Sequence, residues 1–413
     1  MISIHKHKAT TLNKQRITIA HLNSDCLGKV FSYLSPADLA NVAEANVQLA
    51  IGARTFFAHK YKLKEFKYNV YDTFLMSLNI FLLTLKHFGE CIVKLRVEFG
   101  LENPNNCIIF NSIVNNCRAT LTELSLFNVE KDIKLNKPFP NLKKLQIRNS
   151  LYGIHSSITL INHWFPNLTC LKVYDVPKFW ETGLIVNHFP KLQSFGYLTF
   201  PKQNFVESSL MNLARFLKLN YQLKCLELDE LEGLSINTMN MALNDSVTRA
   251  LSNIERLEIE ASTYPFLNGL IKCCQLKEIS ISTYKGDKFD IFNKLPRSLE
   301  VALECFELRM YTISKSAIEF ILRCQQLKKL MVITSTLDPL VLEMFAKQLP
   351  LIHVHVRCNS SFLTKNNLET LGGIDQFFLH SNQLKTIITE YELENFDQNN
   401  SINWKYNGNA LLQ

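Results

Sequence analysis

The apolar positions of this chain follow two rhythms. From Ile17 to about Lys62 they recur every three or four residues, the spacing that lines one face of a helix. From Ile92 to Leu379 they recur as apolar, two variable, apolar, one variable, apolar. Twelve such frames begin at Ile92, Leu121, Leu142, Leu168, Leu192, Leu223, Ile254, Leu276, Leu299, Leu327, Leu351 and Ile374, about 21 to 31 residues apart. Alternation along an extended strand sends the apolar positions of a frame to one side and the residues between them to the other. Each frame therefore predicts one short strand with an apolar inner face. Helical spacing ahead of several frames, at 183–187, 209–219, 268–272, 290–294, 317–322 and 340–347, predicts helices that return the chain.

The joints are punctuated. Pro follows Phe at Phe139, Phe165 and Phe189 and follows Leu at Leu295 and Leu349, which stops a helix at the residue before it. Cys117, Cys274 and Cys324 stand at equivalent joints, where a small buried side chain suits the turn. The Leu299 frame is irregular: Ala302 takes a core position, and a shift to Leu303, Phe306 and Leu308 fits equally well. No clean Asn or Cys ladder follows the strands; Asn128, Asn149 and Asp175 are the nearest residues to one. Frames of this form are the leucine-rich-repeat signature. The expected fold is α/β, with a helical N-terminus followed by a leucine-rich-repeat solenoid: an irregular horseshoe with a concave parallel sheet and convex helices.

Ahead of the frames, Asp25 to Leu34 places Leu27, Val30, Phe31 and Leu34 on one helical stripe. Ser35-Pro36-Ala37-Asp38 restarts the chain, with Ser35 as N-cap, Pro36 at the first helical position and Asp38 reaching back. A second helix runs from Pro36 to about Ala45. A third covers 46–61, with Val47, Ile51, Arg54, Phe57 and Ala58 on one side. So small a module buries little surface by itself and needs something to dock on.

The segment from Leu22 to Leu39, with its central Val30-Phe31, Leu34 and Ser35-Pro36-Ala37-Asp38-Leu39, resembles the F-box motif. Asn23 replaces the Pro usual after the first Leu, and the late aromatic, often Trp, is here Phe56 or Phe57. An F-box followed directly by these repeats is similar to the F-box/LRR family of substrate receptors of SCF-type ubiquitin ligases. The resemblance implies that the helices insert an apolar face into a Skp-family adaptor, and through it a cullin-RING ligase, while the repeats hold a protein substrate. Carried over by position, Leu22, Leu27, Val30, Phe31, Leu34, Pro36 and Leu39 form or support the adaptor contact, some of them facing the module's own interior. The alternative is a plain leucine-rich-repeat interaction scaffold, unrelated to ubiquitin, whose first helices only cap the stack.

With 47% hydrophobic and 20% charged residues, the 413-residue chain has the composition of an ordinary globular protein. Its charge of +8 is concentrated in part in the acid-free segment 1–16 and does not by itself argue for nucleic acid. The eleven cysteines include no Cys-x-x-Cys pair, so reduced thiols in cytoplasm or nucleus are expected. The longest apolar run, 74–85, is too short for a membrane span.

With these frames, the outward residues fall into three zones. Lys94, Arg96, Lys144, Arg148 and Lys172, joined by Phe127 and Tyr174, make the first basic; Glu227, Asp229, Glu258, Glu260 and Glu278 make the middle acidic; Lys329, His353, His355, Arg357, Phe378 and His380 return it to basic. Segregated charge on one face marks a binding surface for a partner of complementary charge. The acidic middle speaks against nucleic acid, and His353, His355 and His380 lack a thiol or carboxylate to complete a metal site. No Gly-rich phosphate loop, nucleophile elbow or metal motif occurs, so neither an enzyme nor a cofactor is expected. The expected organisation is a basic N-terminus at 1–16, the F-box-like module at 17–62, a helical linker and solenoid cap at 63–91, repeats at 92–380, and a C-terminal cap with a loose tail at 381–413. Within that tail Trp404 and Tyr406 are candidates to line the binding face.

Overall fold

The computed structural model describes residues 19, 22–72, 76–100, 103–129, 137–148, 161–174, 188–198, 207–228, 252–260, 275–283, 292–295, 297–334, 339–358, 386–391 and 401–405. The chain divides into two compact units, Met1–Thr122 and Glu123–Gln413.

The first unit opens with helices α1 (Ser24–Ser32), α2 (Pro36–Ala45) and α3 (Val47–Tyr61). Each begins on a side-chain cap that satisfies an otherwise orphaned backbone N–H. Asn23 Oδ1 accepts from Cys26 N at 2.8 Å, so the residue that departs from the F-box pattern starts the helix by capping it. Ser35 Oγ accepts from Asp38 N at 3.1 Å while Asp38 accepts from Ser35 N at 3.2 Å, a reciprocal box with Pro36 at the first position. Asn46 caps α3 through Gln48 N and Leu49 N.

Strand β1 (Glu65–Asn69), helix α4 (Leu78–Phe88), strand β2 (Lys94–Glu98) and helix α5 (Asn106–Cys117) complete the unit, with β1 and β2 paired in parallel. Residues 65–69, read as part of a helical linker, are thus a strand, whose alternating Phe66 and Tyr68 are buried. The core is aromatic. Phe57 of α3 stacks on Phe88 at 4.5 Å, and Tyr68 stacks on Phe81 at 3.9 Å. The apolar face expected of α3 is only partly right. Leu49, Ala53 and Phe57 face inward, whereas Val47 and Ile51 are exposed; α3 meets α1 at Gly52, where a Cβ would lie 3.2 Å from the Phe31 ring and 3.7 Å from Leu27 Cδ1.

In the second unit the strands are β3 (Glu123–Phe127), β4 (Lys144–Arg148), β5 (Cys170–Tyr174), β6 (Ser194–Leu198), β7 (Cys225–Leu228), β8 (Arg256–Glu260), β9 (Glu278–Thr283), β10 (Cys305–Met310), β11 (Lys329–Thr334), β12 (His353–Cys358), β13 (Thr386–Tyr391) and β14 (Ser401–Lys405). From β3 to β13 each strand pairs in parallel with the next in sequence; β14 closes antiparallel on β13. Between them run α6 (Ile161–Trp164), α7 (Glu207–Leu219), α8 (Arg297–Ala302), α9 (Lys315–Arg323) and α10 (Pro339–Gln348). One strand per frame in sequence order is a leucine-rich-repeat-like α/β fold.

Two frames shift. Leu299 lies on α8, and Leu303, Phe306 and Leu308 are the buried positions around β10, so the shifted alternative is the structure's choice. Residues 386–391, read as a cap, form a strand, and 401–405, read as loose tail, form the closing one. The Ile374 frame and Tyr406 lie outside the described residues.

A different ladder replaces the missing Asn one. The amide residue just before a frame donates to a carbonyl at the preceding joint: Asn167 to Pro140 at 2.6 Å, Asn253 to Tyr221 at 3.0 Å, and Gln222 to Phe189. These bonds satisfy turn carbonyls that the strand ladder cannot reach. Asn128 adopts φ 57°, a left-handed turn that Asn tolerates, and its N–H donates to Arg148 O.

Candidate partner-binding surfaces

The first candidate surface lies on the N-terminal helices. Of the residues carried over from the F-box, Leu27, Phe31 and Leu39 are buried within the unit at 8%, 2% and 0% exposure, Leu34 and Pro36 are half-buried, and Leu22 and Val30 are exposed. The greasy stripe of α1 is therefore spent largely on α3. A second apolar set remains open to solvent: Tyr33 at 82%, Val47 at 80% and Ile51 at 66%. Val47 and Ile51 stand four apart on α3 and share a face. The sequence places Val47 and Ile51 on one side of the helix together with Phe57; in the structure Phe57 belongs instead to the equally periodic buried stripe of Leu49, Ala53 and Phe57.

The second candidate surface is the outward face of the sheet. In the first unit Lys94 and Arg96 occupy the half-buried outward positions of β2. In the second unit the strand register aligns outward residues in rows. The middle row runs Ser125, Gln146, Lys172, Gly196, Glu227, Glu258, Ser280, Glu307, Met331 and His355. Lys144, Arg256, Glu278, Lys329 and His353 belong to the row beside it, and Arg148, Tyr174 and Arg309 to the row on the other side. Glu260 and Arg357 lie on β8 and β12 with side chains outside the described set; Asp229, Phe378 and His380 lie wholly outside it. Phe127, expected to face outward, is buried at the end of β3, with the Arg148 guanidinium 5.9 Å from its ring centroid.

The charge zones are not insulated. Lys172 of the basic zone is ion-paired with Glu227 of the acidic one, and both are largely covered. Burial works against the Lys172 charge, but the hydrogen bond to Glu227 and its field hold the ammonium above the ordinary lysine value. Burial and the charge on Glu227 raise Tyr174 above a free phenol. Farther along, Arg309 binds Glu307 at 2.5 Å and lies 3.8 Å from Glu258, and Arg256 approaches Glu258 and Glu278 at 3.9 and 3.7 Å. Glu307 and Arg309 escaped the sequence reading because its frame began at Leu299; the alternative beginning at Leu303 places both outward.

Among the described residues no three His, Cys, Asp or Glu side chains are grouped to hold a metal ion, and no helix is long and apolar enough to cross a membrane. His353 is exposed and His355 half-buried on β12.

No protein-family model matches the chain, and no curated protein matches it. Among solved structures it is similar to the crystal structure of the Rad7 and Elc1 complex in yeast, with a TM-score of 0.43 and 14% identity over 91% of this chain and 91% of that one. It is also similar to the TLR13–ssRNA13 complex, with a TM-score of 0.27 and 12% identity over 83% of this chain and 59% of that one. Both likenesses are distant, and the repeat fold rests on the strand register above.

Proposed function

We propose that this chain is a substrate-recognition subunit of an SCF (Skp–cullin–F-box) ubiquitin ligase, its helices docking a Skp-family adaptor and the outward sheet face holding a protein substrate. The reading is supported by the F-box resemblance of 22–39 together with one observation: Leu22, Val30, Tyr33, Val47 and Ile51 leave apolar area on α3 and on α1 and its two ends uncovered, although the unit buries Leu27, Phe31 and Leu39 for its own core. Covering such area gains about 25 cal/mol per Å², before ordering costs are subtracted. The chain itself then supplies proximity rather than chemistry, raising the local concentration of substrate beside the charged carrier enzyme.

The test must avoid the buried stripe, since Leu27→Asp or Phe31→Asp would disrupt the fold. Val47→Asp with Ile51→Asp, in the full chain co-expressed with a Skp-family adaptor, is expected to abolish co-purification while the melting curve stays where it was. Retention of the adaptor by this variant, or absence of adaptor from the wild type, would overturn the reading in favour of a plain repeat scaffold.

A further inference from the structure

The middle row of the second unit holds three carboxylates, and they are not served alike. Glu227 has Lys172, and Glu307 has Arg309 at 2.5 Å. Glu258, between them in the row, has among the described residues no hydrogen-bonded cation, Arg309 approaching it to 3.8 Å and Arg256 to 3.9 Å. Its register partner on β9 is Ser280, and Ser280 is in turn opposite Glu307 on β10. Ser280 is 5% exposed, lies on the outward side of its strand, and its Oγ is without a hydrogen-bond partner among the described residues. A buried unpaired hydroxyl costs about 1–3 kcal/mol, and next to an underserved carboxylate it marks a place where donors are missing.

We propose that Glu258 and Ser280 are a paired acceptor for an arginine side chain presented by a protein partner lying along the row. This rests on the reading of the outward sheet face as the substrate-holding surface. A guanidinium carries several N–H donors in a fixed planar fork, so one group can serve the Glu258 carboxylate and the Ser280 oxygen on adjacent strands at once. The row already accommodates that chemistry internally, since Arg309 lies against Glu307 in the same way. Burial, and after it the field of Glu227, pushes the Glu258 carboxyl above its ordinary value; Arg309 and Lys172 oppose that and Glu307 adds to it. An arriving cation relieves this charge crowding, which an arriving anion would deepen.

The probe is a fluorescein-labelled hexa-arginine peptide titrated into the full-length chain at low salt, with hexa-glutamate and a single-stranded RNA twelve-mer as contrasts. Glu258→Gln is expected to weaken hexa-arginine about tenfold and Ser280→Ala about threefold, the strength of a charged and of a neutral hydrogen bond. Glu319→Gln, the same charge change on exposed α9, is expected to leave binding as it is. Ser280→Ala removes an unsatisfied oxygen and so keeps the protein folded. Equal weakening by Glu319→Gln would reduce the effect to net charge and overturn the proposal; so would indifference to Glu258→Gln and Ser280→Ala, or RNA capture that depends on the same two residues. Adaptor co-purification is measured on the same variants. Its absence in the wild type overturns the ligase reading alone, while peptide binding indifferent to the pair overturns this inference alone.

Discussion

Lys172 on β5 and Glu227 on β7 are ion-paired across the strand that separates them, and Gly196 is the residue they pass over. Two strand spacings are about 9.6 Å, within reach of a lysine only if nothing stands between. A Cβ at position 196 would lie 3.0 Å from Glu227 Oε2 and 3.3 Å from Lys172 Cγ. The glycine is there for close approach, and it joins the basic and acidic zones of the face.

Removing one partner of this largely covered pair strands the other. Lys172→Met should cost about 1–3 kcal/mol, because Glu227 is then left beside Glu258 with no ion-paired cation among the described residues. Adding Glu227→Gln should recover part of the loss. Urea denaturation of the four proteins of the cycle measures this, and strictly additive losses would show that the two residues are not coupled.

Asn220, at the end of α7, is fully buried and serves both sides of its joint: its Oδ1 accepts from Phe189 N and its Nδ2 donates to Phe216 O, each at 2.9 Å. Asn220→Ala leaves a buried N–H and a buried carbonyl without those partners. The expected loss is about 2 kcal/mol, seen as a lower urea midpoint at an unchanged slope. Asn253→Ala, which removes an exposed amide donating to Tyr221 O, should cost less than half as much.

How much of this could be read from the chain follows from how many residues each feature repeats. The frames at Leu121, Leu142, Leu168 and Leu192 recur with the same buried positions, and the Ser35–Asp38 box is local chemistry that needs no tertiary information. Strand β1 was hidden because it stands outside the run of frames and alternates Phe66 and Tyr68 with Glu65 and Lys67 in a charged stretch. In α3 two apolar stripes compete, and tertiary packing decides which is covered, with α1 meeting it at Gly52 and Phe57 stacking on Phe88. Glu258 and Glu227 were legible as outward acids, but their unequal neutralisation was not, since it depends on which cations reach across strands.

Of the joint cysteines, Cys117 and Cys324 should be inert; Cys274 lies outside the described residues. Cys117 and Cys324 are fully buried, and burial pushes each thiol up to about 12, whereas Cys26 and Cys107 are exposed. Iodoacetamide at about pH 8 should label Cys26 and Cys107 in the native protein within minutes and spare Cys117 and Cys324 until urea is added. Peptide mass mapping before and after denaturation checks it; early labelling at Cys324 would contradict its place under the turn, where its Sγ donates to Phe320 O.

Glu258 gives the stability a pH signature whose sign is fixed by the direction of its shift. Its carboxyl is held above the ordinary value, first by burial and then by Glu227, so the folded state keeps the proton over a range in which the unfolded chain has lost it. The contribution favouring the fold is therefore complete below the unfolded carboxyl value and fades as pH rises through the higher folded one. Groups facing Glu258 include Glu227, Glu307, Lys172, Arg256 and Arg309, none of which changes with Glu258→Gln except through its own field. A glutamine stays neutral throughout, so Glu258→Gln should raise Tm at neutral pH and match the wild type in acid, below the ordinary glutamate value. Thermal melts of both proteins from acid to neutral pH decide this. A variant less stable than wild type at neutral pH would mean that the long contacts of Arg309 and Arg256 already neutralise Glu258, leaving no unmet charge for a partner's arginine.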